Sequence, residues 1–104
     1  MNIMGTRIEL HRILCEILGS TNVYFQPPMS IQISYPAIIY ELDNINGPNA
    51  DDKLYLKNRR YAVKYISRNP ENEIVDALLD LPYCSFDRRF VANNLYHDCL
   101  DLYF

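Results

Sequence analysis

The run "CSFDRRFVANNLYHDCLDLYF", Cys84 to Phe104, constrains the fold more than any other stretch of the chain. Two alternating segments flank Asn93-Asn94, a dipeptide that tolerates the positive φ a two-residue turn demands. The first segment places Cys84, Phe86, Arg88 and Phe90 on one face. The second places Tyr96, Leu100, Leu102 and Phe104 together, opposite Leu95, His97, Cys99 and Tyr103. A hairpin with one greasy face cannot stay in water alone; it needs further strands or a helix laid across it.

The rest of the chain supplies both. Thr6-Arg7-Ile8-Glu9 has the form of a capping box. Leu10, Ile13, Leu14, Ile17 and Leu18 follow helical spacing, and Gly19 supplies the left-handed stop, so a helix is expected over Thr6 to Leu18. Asn22 to Gln26 forms at most a short extended segment, because Pro27 and Pro28 remove two backbone donors and keep it out of a sheet interior. After Pro36, "AIIYELDNI" alternates Ile38, Tyr40 and Leu42 against Ile39, Glu41 and Asp43. A strand over about Tyr55 to Ser67 alternates Tyr61, Val63 and Tyr65 against Arg60, Ala62, Lys64 and Ile66. Asn69-Pro70 then opens a second helix, with Glu71 and Glu73 at its positive end and Ile74, Ala77, Leu78 and Leu81 as its buried stripe. Pro82 closes it. The expected architecture is one α+β domain over residues 1–104. It has two layers, a small mainly antiparallel sheet with two helices, in the order α-β-β-α-β-β with a short extended segment near Tyr24.

At 104 residues the chain has the size of one domain and buries roughly 65% of its unfolded surface. Its net charge of -3 and the lack of a basic block longer than Asn58-Arg59-Arg60 argue against electrostatic nucleic-acid binding. Three cysteines without CxxC spacing, no secretory leader and no long apolar run point to reduced thiols in a host cytoplasm and no membrane. Nine tyrosines, four phenylalanines and no tryptophan fit either a surface that is sometimes covered or plain strand preference.

Chemistry is hard to find. His11 and Cys15 at i, i+4, and His97 and Cys99 on one strand face, each offer two ligands where a structural metal needs four. Asp98 and Asp101 fall on opposite faces of their strand, and Asp51 and Asp52 sit in a loop. The three glycines stand alone, so no phosphate cradle forms, and no nucleophile elbow or zinc helix is present. No cofactor and no catalytic residue is expected. Arg59, Arg60, Lys64, Arg68, Arg88 and Arg89 read either as a solvated sheet face or as charged contacts to another subunit.

Three stretches together, "VYFQPPMSIQISYPAIIYELD", "YAVKYISRNPENEI" and "LPYCSFDRRFVANNLYHDCLDLYF", resemble the small tail-completion or tail-terminator proteins of long-tailed bacteriophages. The likeness runs from about Arg7 to Phe104. Ala37 stands where that family's pattern has cysteine, and Tyr96 where it often has asparagine. The resemblance implies a structural virion protein without enzymatic activity. It would cap the tail tube as a homo-oligomeric, typically six-membered ring, meet the tail tube protein and a neck or connector protein, and let DNA pass only through the lumen.

On that reading an outer strand ending in Leu102, Tyr103 and Phe104 is expected at the subunit interface, with Tyr24, Phe25, Pro27, Pro28 and Tyr55. The loop with Asn46, Gly47, Pro48, Asn49, Asp51 and Asp52 is expected to meet tube or neck, with Asp51 and Asp52 facing the lumen. Phe25, Phe86, Phe90 and Phe104 are expected in the protomer's own core. The competing readings are a neck or head-closure protein on the capsid side, a small host-directed inhibitor and, last, an enzyme.

Overall fold

The computed structural model describes residues 7–28, 30–45, 59–70 and 73–104, and of residues 44 and 45 the backbone only. The elements are α1 (Arg7–Leu18), β1 (Val23–Phe25), β2 (Ala37–Ile45), β3 (Arg59–Ser67), α2 (Glu73–Leu79), β4 (Cys84–Ala92) and β5 (Leu95–Tyr103). The α+β class holds, but the order is α-β-β-β-α-β-β. Val23–Phe25 is a member of the sheet, paired parallel with Ile38–Tyr40. Every other pairing is antiparallel, and the five strands lie in the order β1-β2-β3-β5-β4. Thr6, Glu71 and residues 55–58 lie outside the described residues, and with them the expected capping box and the early part of the expected strand over Tyr55 to Ser67.

Local chemistry sets the ends of the elements. Gly19 takes a φ of 80° and its N–H closes α1 on the Cys15 carbonyl at 2.8 Å. Asn93 and Asn94 sit at φ of 55° and 63°, the pair of left-handed residues that a tight hairpin needs. Gln26, at φ 45°, turns the chain out of β1 just before Pro27.

The core lies between the helices and one face of the sheet. Leu10 and Leu14 of α1 and Leu78 of α2 meet Ile38, Tyr40, Tyr61, Val63, Tyr65, Leu100 and Leu102, all buried. Ile74, Val75 and Leu81 pack at its margin, as does Phe104. Tyr40, fully buried, is the hub. Its ring lies 5.0 Å from Phe25 and 6.0 Å from Tyr61. Its hydroxyl lies 2.8 Å from His11 Nδ1 and accepts from Arg7 Nη1 at 3.3 Å. Burial and the Arg7 charge both lower the His11 pKa. We therefore assign a neutral imidazole whose Nδ1 accepts the tyrosine proton.

A register shift between Phe86 and Arg88 overturns the expected faces of β4. Asp87 is the extra residue of a bulge, and each residue beyond it changes sides. Cys84, Phe86, Arg89 and Val91 share the helix side, whereas Ser85, Arg88 and Phe90 share the other. The shift brings Arg89 opposite Asp98, which is 1% exposed on the core side. Arg89 Nε donates to Oδ1 at 2.6 Å and Nη2 to Oδ2 at 3.2 Å, while Nη2 also donates to the Pro70 carbonyl at 2.9 Å. Such a two-pronged pair is the geometry in which a carboxylate tolerates burial.

Two stability outcomes follow from the hub and the pair. Tyr40→Phe keeps the ring and removes both hydroxyl contacts, and should cost about 1 kcal/mol in denaturant unfolding. Arg89→Ala strands the buried Asp98 and should cost more, about 2–3 kcal/mol, with Asp98→Asn partly relieving it in the double variant.

Candidate functional site: the open sheet face and the outer strand

The two helices lie against one side of the sheet, the side of Ile38, Tyr40, Val63 and Leu100. The other side carries Ile39 and Glu41 of β2, Ala62, Lys64 and Ile66 of β3, His97, Cys99 and Asp101 of β5, and Arg88 and Phe90 of β4. These residues alternate with the core residues along the same strands, so the pattern that makes the core also writes this face. A depression of about 190 Å³ opens on it, bounded by Ile39, Glu41, Ala62, Lys64, Asp87, Arg88, Cys99 and Asp101.

Five charges of both signs surround that depression: Glu41, Lys64, Asp87, Arg88 and Asp101. Among the described residues, ion pairs join Arg12 to Glu16, Arg60 to Asp43 and Arg89 to Asp98, and none involves those five. Lys64 Nζ and the Arg88 guanidinium instead each lie 5.7 Å from the centre of the Phe90 ring. His97 stacks on Phe90, 4.6 Å between centroids and 9° from parallel. Both His97 ring nitrogens are buried and meet no hydrogen-bond partner. Buried polar atoms are nearly always satisfied, so this pair stands out on the open side.

The thiols are held in the protonated form. Burial pushes Cys99 up, with the charges of Lys64 and Arg88 pulling the other way. Burial, and then the Asp101 charge, push Cys84 up to about 11. Burial also raises Cys15. His11 spends its Nδ1 on Tyr40, and among the described residues no group of three or more His, Cys, Asp or Glu comes together to hold a metal. No helix among them is long and apolar enough to cross a membrane.

The residues expected at a subunit interface are scattered. β5 is an interior strand between β3 and β4, so Leu102-Tyr103-Phe104 does not end an outer strand. Leu102 is 1% exposed in the protomer's own core, Tyr103 donates its N–H to the Tyr83 carbonyl, and Phe104 donates to Arg59. Tyr24 is half-buried on the edge strand β1, and Phe25 packs on Tyr40 under the Arg7 guanidinium, 4.5 Å from the ring centre. Pro27 is half-buried and Pro28 exposed, its carbonyl accepting from Ile31. Tyr55, Asn46, Gly47, Pro48, Asn49, Asp51 and Asp52 lie outside the described residues.

The outer strand is β4, nine residues long, whereas the opposite edge, β1, has three. It and the turn before it expose Tyr83, Phe86 and Val91, at 62%, 46% and 60%. Phe86 thus belongs to the surface, against expectation, and Phe90 to the open face. The charged triplet Asp87-Arg88-Arg89, which breaks strict alternation, was the signal of the bulge.

Raised thiol pKa values carry a sign for stability. The Cys84 thiol ionises near its ordinary 9.0 when unfolded and near 11 when folded, so its contribution is whole below pH 9 and is lost as pH climbs to 11. Urea unfolding should show a decline on the order of 1–2 kcal/mol across that window, shallower in Cys84→Ala. No protein-family model, curated protein or solved structure matches this chain.

Proposed function

We propose that this chain is a structural virion protein of the tail-terminator type. Copies close as a ring on the head-proximal end of a phage tail tube and present a docking surface to the neck, with DNA passing through the lumen. In this reading it works without cofactor or catalysis. The single observation that carries it beyond the sequence resemblance is a sheet whose two helices both lie on one side. The other side, where Ile66 is buried, holds five charges that enter no ion pair among the described residues and a histidine whose buried ring nitrogens have no hydrogen-bond partner, over a floor that includes Ile39 and Ala62. Charges left unpaired at home are free to meet complementary ones on another chain, and such contacts set partner and register more than they add affinity. A surface of this kind suits assembly. Among the described residues it offers neither a paired nucleophile and base nor an enclosed cleft.

Electron microscopy of tails made with and without the chain tests this reading. Tails assembled without it should be irregular in length or fail to join heads. Lys64→Glu should leave stability within about 0.5 kcal/mol, because it breaks no ion pair among the described residues and only a distant ring contact to Phe90, and yet reduce head joining. Normal tails that join heads in the absence of the chain would overturn the proposal.

A further inference from the structure

The outer edge of β4 has an unusual beat. The Tyr103 N–H donates to the Tyr83 carbonyl, which makes that pair a hydrogen-bonded one. Alternation along the antiparallel ladder then turns the N–H and C=O of Cys84 and Phe86 away from β5. At the other end the two-residue turn makes Ala92 and Leu95 a hydrogen-bonded pair, so Arg89 and Val91 are the residues whose main-chain groups turn away. The free groups therefore fall at residues 84, 86, 89 and 91. The steps are two, three and two, the middle step being the bulge at Asp87.

A regular strand presents its groups every second residue and can match only one half of such an edge. A second β4 running antiparallel matches all of it. With a two-fold axis between Asp87 and Arg88, Cys84 falls opposite Val91 of the other copy and Phe86 opposite Arg89. Both bulges coincide, so neither strand has a residue left over. In the same register Asp87 faces Arg88 of the other copy, and this pair occurs twice. Shifting the axis by half a residue places Arg88 against Arg88. Phe86 and Val91, both exposed, gain cross-strand neighbours on the helix side, an arginine over an aromatic ring and an apolar pair.

We infer that the β4 edge is a docking surface for a second copy of this chain, paired β4 to β4 across a two-fold axis into one continuous sheet. The contact is isologous and closes at two copies. It goes beyond the ring reading and does not rest on it, since a two-fold contact by itself builds no six-membered ring.

Sedimentation equilibrium of the isolated chain, taken to several hundred micromolar, tests the pairing. The mass should rise with concentration to that of two copies and stop there. Asp87→Arg and Arg88→Asp each turn two attractive contacts into two repulsive ones, and each should weaken association at least about tenfold. Mixing the two variants in equal amounts should restore it, because each then faces its complement. Val91→Pro removes an N–H that the chain's own ladder does not use. It should abolish association with the circular dichroism unchanged. A single-copy mass throughout, an open-ended series of masses, or a mixture no tighter than its parts would each overturn the inference. None of these results bears on tail capping, and abnormal tails would leave the pairing standing.

Discussion

The hydroxyl of Tyr40 is the constraint on which the placement of the layers depends. Most of the core could be satisfied by any apolar contact, since hydrophobic burial has no direction. The Tyr40 hydroxyl has one. It sits fully buried beneath α1, where His11 and Arg7 reach it, and those two residues lie one helical turn apart on the same stripe. Meeting them fixes where α1 crosses β2 and with it which side of the sheet is covered. Phe25 and Tyr61 flank the same ring, so β1 and β3 are positioned by the group that positions the helix. The open side exists because the polar anchor is on the other.

The bulge at Asp87 serves the interior and the edge together. Paired without the bulge, β4 would carry Arg89 to the open face and set Arg88 opposite Asp98 on the core side. One inserted residue delivers a guanidinium to the carboxylate that β5 buries, and it leaves Asp87 and Arg88 outside beside the depression. The bulge thus selects which of two adjacent arginines is turned inward and which stays at the surface.

Much of this was legible from residue order. The helix stripe of Leu10 and Leu14, the left-handed Gly19, the Asn93-Asn94 turn and the alternation of Tyr61, Val63 and Tyr65 are local signals, and each names its own structure. What was not legible is non-local. Whether Val23–Phe25 joins a sheet depends on Ile38–Tyr40 lying beside it, fifteen residues on. The interior position of β5 depends on β3 choosing it over β4. That choice makes Leu102 a core residue where the resemblance implied an outer strand. The faces of β4 turned on one extra residue in the Asp87-Arg88-Arg89 triplet, and period-two reading carries straight through such a step without registering it. For the site the loss was larger, since several expected residues lie outside the described ones and the outer strand was assigned to the wrong run.

An open sheet has two edges, and exposed edges invite indiscriminate pairing. This chain guards its two edges differently. β1 is kept to three residues, after which Gln26 swings out of line and Pro27 has no N–H to offer. That is protection by removal, and it is blind to partner. β4 is long and keeps all its groups, but spaces them two, three and two. A passing strand finds two groups in step and the next out of step, so it gains half a ladder for the full entropic cost of being held. Removal makes an edge inert, whereas misspacing makes it selective. If the guard at β4 were only defensive, a charge or proline at Phe86 or Val91 would have been the simpler device. Apolar side chains at those two positions, on either side of an opposed Asp87-Arg88 step, are what an edge retains when one particular partner is to be admitted.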